Sequence, residues 1–298
     1  MALTWSVAIE NYLNYIRFEK QLAEHTVNNY RRDLDQAVSF FTVDSPAELS
    51  DYAVRDWLHA MRRKGVARKT IQRKLSALRN FFRYHVDRQL LQDNPVIAVK
   101  PPKSESTLPK VLDVDEINQL LDSPAETWHE MRDLCMLELF YSSGLRLAEL
   151  AALDINDIDF SQSLVKVSGK GGKERIVPVG AKANDKLQAW LGHREQYAKP
   201  TNSALFISAL GQRLSHRSIQ MRLARLGVKS GASRRMHPHL MRHSFASHML
   251  QSSSDIRAVQ DLLGHSDISS TQIYTHLDFQ YLAKAYDQAH PRAKSPKD

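Results

Sequence analysis

Apolar residues recur along the first hundred positions at the i, i+3, i+4, i+7 spacing that gathers them on one face of a helix. Ile9, Tyr12, Leu13 and Ile16 form one stripe, and Val27, Tyr30, Leu34, Val38 and Phe41 a second. Val54, Trp57, Leu58 and Met61 form a third, closed by Gly65, and Ile71, Leu75, Leu78 and Phe82 a fourth. SPAE at 45–48 predicts a helix start, with Ser45 as cap, Pro46 in the first turn and Glu48 completing a capping box. The pattern stops across residues 93–112, DNPVIAVKPPKSESTLPKVL, where four prolines deny helix continuity. Residues 99–110 therefore read as a linker between a domain over 1–98 and another over 111–298.

After the linker, Asp113 with Glu116 predicts a new helix start, and HEMRDLCMLELFYSS predicts a helix running to Gly144. SLVKVSGKGGKERIVPVG alternates apolar and polar residues on both sides of Gly169–Gly172, which predicts a β-hairpin. ALFIS at 204–208 is a candidate third strand. HRSIQMRLARLG and the chain from His239 onward return to helical spacing. The expected fold class is mainly α: an N-terminal helical bundle, then a mostly helical domain with a small antiparallel sheet.

Composition narrows the function. A chain of 298 residues with 42% hydrophobic residues has material for about two packed cores. No apolar run approaches the roughly 20 residues that span a bilayer, and the N-terminus lacks the pattern of a secretory signal. The lone Cys135 rules out internal disulfides and multi-cysteine zinc sites and suits a reducing, cytoplasmic setting; its plain role is a small core residue. Net charge is +8, with 17 Lys/Arg against 11 Asp/Glu in residues 1–103 and 24 against 22 in the rest. Arg55–Arg83 holds ten basic residues and one acid, Asp56, a density of one sign that points to a polyanion. On the fourth helix Arg68, Lys69, Arg73, Arg79 and Arg83 fall largely outside the apolar stripe, as expected of a face that holds a DNA backbone.

Four places carry candidate chemistry. Arg146 lies among leucines in SSGLRLAEL, where its charge needs a partner; Glu149 is the local candidate and an anionic ligand the other. Lys170 sits at the glycine-rich turn, with no P-loop spacing around it. His239 and Arg242 lie three apart in HPHLMRHSF; His239 and His243 have a spacing that could ligate zinc, but no glutamate completes H-E-x-x-H and Arg242 would sit beside the metal. LLGHSDISSTQIYTH supplies His265 and Tyr274. Each has a bland alternative. As a set they suit phosphodiester exchange without a metal or other cofactor: two guanidiniums on phosphate oxygens, histidines and a lysine for protons, and a phenol as nucleophile.

The ordered set — Arg in GLRLAEL, Lys in GKGGKER, HLMR, then LLGH nine residues before Tyr274 — resembles the tyrosine recombinases of the integrase family. RKLSALRNFFRY and the ending YTHLDFQYLAKAYDQAHPRAK extend the likeness to the bacterial Xer recombinases, the ending favouring the XerC branch over XerD. The resemblance implies an N-terminal SAM-like core-binding domain that clamps DNA opposite the catalytic domain. It implies Tyr274 as nucleophile forming a 3′-phosphotyrosyl link, Arg146 and Arg242 on the phosphate, Lys170 as general acid for the 5′-oxygen, and His239 and His265 in proton transfer. It further implies a dif-like duplex site, an XerD-like recombinase in a two-plus-two heterotetramer, control by an FtsK-type septal DNA translocase, and chromosome-dimer resolution at cell division. A tail from about residue 277, with Phe279, Leu282 and Tyr286 at helical spacing, would dock on a neighbouring subunit. The alternatives are a phage or mobile-element integrase, a type IB topoisomerase-like enzyme, and a non-enzymatic DNA-binding protein.

Overall fold

The computed structural model describes residues 3–102, 111–169, 174–199, 201–253, 255–263 and 285–293. The chain divides into two compact units, Met1–Leu108 and Pro109–Asp298.

The first unit is built from α1 (Trp5–Asn14), which runs into a π-helical turn (Tyr15–Glu19), α2 (Glu24–Val38), α3 (Asp51–Arg63) and α4 (Arg68–Asp87). Each expected stripe packs inward: Leu13, Val27, Leu34, Val54, Leu75 and Leu78 are fully buried, while Tyr30, Val38 and Phe41 flank the same core partly covered. Trp5 stacks on Phe81 at 5.9 Å and donates its indole N–H to Val43 O at 3.0 Å, so the bundle is closed by a ring that is apolar in body and satisfied at its edge. Gly65 ends α3 at φ +69°, a left-handed position that glycine adopts without steric cost.

The SPAE segment starts a different element from the one expected. Ser45 does accept a hydrogen bond from Ala47 N at 3.2 Å, but only a 3₁₀ turn follows, Pro46–Glu48. Leu49 then goes extended, with φ −71° and ψ 119°, and buries its side chain. The helix proper starts at Asp51, capped by Ser50, whose Oγ accepts from Ala53 N at 3.3 Å.

The second unit is organised around α6 (Trp128–Ser143), which is buried on every side from Arg132 to Ser143. A helix buried on every side belongs at the centre of a core, and α6 packs against α5 (Val114–Leu121), α8 (Ala181–Arg194), α9 (His216–Lys229) and α10 (Pro238–Ser253). Two further helices, α7 (Leu147–Ala152) and α11 (Ile256–Leu263), sit at the ends of connections that matter for the site. Asp113 caps α5 as expected, accepting from Asp115 N at 2.9 Å, while Glu116 turns away to accept from Ser233 N at 2.7 Å.

The sheet has three antiparallel strands in the order β1 (Ile158–Asp159), β2 (Leu164–Ser168), β3 (Glu174–Pro178). β2 and β3 form the expected hairpin, in a register that pairs Val165 with Val177. The third strand is β1, not residues 204–208, which make only isolated bridges, Asp154 with Ala204 and Ile207 with Arg213. Side chains take the carbonyls that a ladder would have used. Arg194 donates to Ala204 O at 2.9 Å, Trp190 to Leu205 O at 2.9 Å and Arg132 to Ile207 O at 2.7 Å. The run is apolar because it is a buried connection, with its backbone satisfied piecemeal.

Residues 285–293 pack into their own unit. Tyr286 is buried, with its hydroxyl 2.8 Å from Ser142 Oγ and its ring stacked on His290. His290 Nε2 lies 3.1 Å from Tyr141 O, and Arg292 meets Glu138 and Asp122. Tyr286 is thus an internal core residue of its own chain. Phe279 and Leu282 lie outside the described residues. Among the described residues, no helix is long and apolar enough to cross a membrane.

Candidate active site

The turn between α6 and α7 positions Arg146. Gly144 closes α6 in the left-handed region at φ +58°, and Leu145 is fully buried, which fixes the path into α7. Arg146 is the residue before α7, and Glu149, in the first turn, reaches back to accept from Arg146 N at 2.7 Å. The same carboxylate takes a second bond from the Arg146 guanidinium at 2.8 Å. The local pairing of Arg146 with Glu149 is therefore real, yet it is only part of the arrangement.

Arg175 on β3 also grips Glu149, with bonds of 2.6 and 3.0 Å to its two carboxylate oxygens. Its Nε also donates, over a longer 3.4 Å, to Leu262 O at the end of α11. Arg242, from the first half of α10, donates to Leu263 O at 2.6 Å and to Gly144 O. Burial pushes the Glu149 carboxyl up, but bonds from Arg175 and from the Arg146 backbone and side chain outweigh it and hold the group at about 2. Burial pushes Arg242 down to about 10, and the neighbouring positive charge of Arg146 adds to that. Two guanidiniums, those of Arg146 and Arg175, thus share one buried carboxylate, and Arg242 lies near enough to feel all three charges, an excess of positive charge in a partly desolvated place. Such a place binds an anion with planar, forked donors.

His239 is exposed near the start of α10, three residues before Arg242, and His237 Nδ1 accepts from Leu240 N at 3.1 Å to cap that helix. Lys170, His265 and Tyr274 lie outside the described residues. The structure brings Arg146 and Arg242 to one place and sets His239 on the same helix as Arg242. Sequence reasoning did not pick out Arg175. Its signal is in the strand alternation, because Arg175 shares a face with the buried Val177, so a charge stands where β3 turns inward.

Of the basic residues on α4, Lys69 and Arg68 are exposed near its start. Arg73 pairs with the buried Asp33 of α2, and Arg83 donates to Asn80 Oδ1 at 2.8 Å. Arg79 is turned to its own unit, donating to Val96 O at 3.4 Å and Val99 O at 3.0 Å. Among the described residues no three His, Cys, Asp or Glu side chains gather as a metal site.

Comparison with known proteins gives this geometry a family. Residues 110–281 match the phage integrase family and residues 9–89 the phage integrase N-terminal SAM-like domain. The chain is 48% identical over 290 residues to tyrosine recombinase XerC of Actinobacillus pleuropneumoniae serotype 7, covering 96% of this chain and 94% of that one. It is 46% identical over 294 residues to XerC of Azotobacter vinelandii, covering 97% and 98%. In fold it resembles the Tn1549 transposon integrase in complex with a circular intermediate DNA, with TM-score 0.74 and 19% identity over 87% of this chain and 92% of that one. It also resembles the XerH site-specific recombinase bound to a palindromic difH substrate, with TM-score 0.71 and 22% identity over 95% and 84%. A helical SAM-like unit, a mostly helical unit with a three-stranded sheet, a shared arginine cluster and near full-length likeness to XerC proteins agree: the chain belongs to the phage integrase family as a tyrosine site-specific recombinase of the Xer type, most like XerC.

Proposed function

We propose that this recombinase cuts and rejoins DNA at a dif-like site through a 3′-phosphotyrosyl intermediate on Tyr274, and that with an XerD-like partner, two subunits of each, it resolves chromosome dimers at cell division under an FtsK-type translocase. The observation that carries the reading is the meeting of Arg146 and Arg242 beside Glu149, two distant stretches of chain supplying one anion-binding cluster.

In this reading Arg146 and Arg242 bind the non-bridging oxygens of the scissile phosphate and stabilise the charge that builds in the trigonal-bipyramidal transition state. The Tyr274 hydroxyl passes its proton to His239 or His265 and its oxygen bonds to phosphorus; the bond from phosphorus to the 5′-oxygen breaks, and Lys170 gives that oxygen its proton. His239 and His265 donate hydrogen bonds to the phosphate and move protons near neutrality. The phosphotyrosyl ester keeps the bond energy, so attack by a partner strand's 5′-hydroxyl rejoins DNA without ATP. In the N-terminal unit Arg68, Lys69, Arg73 and Arg83 hold the DNA backbone.

The test is a nicked duplex carrying the recombination site of the protein's own chromosome, incubated with and without the partner recombinase and then denatured in SDS. Wild type is expected to leave a covalent protein–DNA adduct and Tyr274→Phe none. Equal adduct from both, or none from wild type with its partner present, would overturn the assignment. Relaxation of any supercoiled plasmid without a partner would instead favour topoisomerase-like action.

A further inference from the structure

Glu149 poses a problem for the site it belongs to. Its carboxylate is 3% exposed and bonds both the backbone and the guanidinium of Arg146. A buried carboxylate joined to Arg146 alone would form a neutral pair, and a neutral pair attracts a phosphodiester weakly. The hydrogen bond from Arg146 N explains why the carboxylate is there: it sets the turn that aims the arginine. Something must then offset its charge.

Arg175 does so. Its guanidinium bonds both Glu149 oxygens, at 2.6 and 3.0 Å, and its side chain is only 9% exposed, so solvent does little to screen the pair. Its Nε reaches Leu262 O, one residue before Leu263 O, which Arg242 holds. These are the last carbonyls of α11, groups that a helix end leaves without internal partners. One arginine on β3 therefore touches the carboxylate that orients Arg146 and the helix end that Arg242 grips. It also sits on the strand that follows Lys170 in the chain.

We propose that Arg175 is a positioning residue of the cleavage site: it balances the Glu149 carboxylate so that Arg146 keeps its positive charge for the scissile phosphate, and it ties β3 to the end of α11. The inference rests on the phosphate-binding role of Arg146 set out above. Arg175 itself does not touch the phosphate. Its replacement changes the rate of cleavage rather than the affinity for DNA, because most of that affinity comes from backbone contacts spread over the duplex.

The experiment measures single-turnover adduct formation on the nicked duplex of the protein's own site, with the partner recombinase present, beside equilibrium DNA binding. Arg175→Gln is expected to slow cleavage about 10- to 100-fold with binding changed no more than about twofold. Arg175→Lys keeps the charge but loses the forked bond and the bond to Leu262 O, and should cleave at a rate between those of Arg175→Gln and wild type. The double variant Arg175→Gln with Glu149→Gln removes both charges, leaves an amide oxygen for Arg146 N, and should recover most of the rate lost in Arg175→Gln. Cleavage by Arg175→Gln at the wild-type rate would overturn the proposal. So would a lysine variant as slow as the glutamine one, or a double variant with no recovery. If Arg175→Gln does not fold, the lysine and double variants decide, since neither buries an unpaired charge; a loss beyond about tenfold in either counts against it. Tyr274→Phe separates the two claims. Wild-type adduct that this variant abolishes upholds the recombinase reading and leaves Arg175 to stand or fall alone, whereas no wild-type adduct overturns both.

Discussion

Val96 O and Val99 O both accept from the Arg79 guanidinium, and Asn94 Nδ2 donates to Arg79 O at 3.1 Å, so this residue stitches the segment after α4 to the helix itself. Val96 and Val99 are buried, which makes their carbonyls dependent on that donor. Arg79→Met should destabilise the N-terminal unit by about 1–3 kcal/mol, read as a lower urea midpoint, with a smaller effect on DNA binding than Arg83→Ala. Glu149 makes the second residue-scale prediction. Its carboxyl is held at about 2 against an ordinary 4.5, a difference worth roughly 3 kcal/mol in the folded state. A lowered acid contributes stability that is full above pH 4.5 and is lost as pH falls through about 2. Acid titration of Glu149→Gln should therefore lack part of the wild-type loss across that window, followed by tryptophan fluorescence.

Gly144 joins element to element. It ends α6, gives Arg242 a carbonyl, and stands two residues before Arg146. A Cβ there would lie 2.5 Å from Phe245 Cδ1 and 3.2 Å from Leu263 Cδ2, at a φ of +58° that L residues resist. Gly144→Ala should cost about 2–4 kcal/mol from backbone strain plus overpacking, and should slow cleavage more than it weakens DNA binding because α6, α7 and α10 meet there. Thermal unfolding and the adduct assay check the two halves. The same scale explains why SPAE and ALFIS misled. A cap, a proline and a glutamate are equally suited to one 3₁₀ turn, and which follows depends on whether Leu49 has a core to enter. A short apolar run is a strand only if its carbonyls find another strand, and here Arg132, Trp190 and Arg194 reach them first.

At the scale of the molecule, residues 285–293 act as a strap on the catalytic unit. Arg292 is buried and bonds Glu138 at 2.6 and 2.8 Å and Asp122 at 2.8 and 3.2 Å; Lys186 also reaches Glu138, at 2.9 Å. Arg292→Met leaves Glu138 without its main partner inside α6 and should cost about 3–5 kcal/mol, measured by calorimetry of the full chain. Any contact this tail makes with another subunit then has to come from residues outside that strap or follow its release. Charge is also a property of the whole. With +8 overall and the excess in the first third, DNA affinity should fall steeply with salt, and Lys69→Ala or Arg83→Ala should each lower the slope by about one.

Sequence alone determined the helices of the N-terminal unit, because each stripe is a local periodicity that burial then confirms, from Leu13 to Leu78. It also determined the hairpin and the ordered set of Arg146, Lys170, His239, Arg242, His265 and Tyr274, since motif order and spacing are properties of the chain itself. What only the tertiary structure decided is which charges end up sharing a place. Glu149 pairs with Arg146 three residues away, as spacing allows, but Arg175 reaches it from another element and Arg79 leaves the basic face for two carbonyls. Periodicity says which side of an element is apolar. It does not say which distant donor is near enough to a buried carboxylate, because that depends on how elements pack.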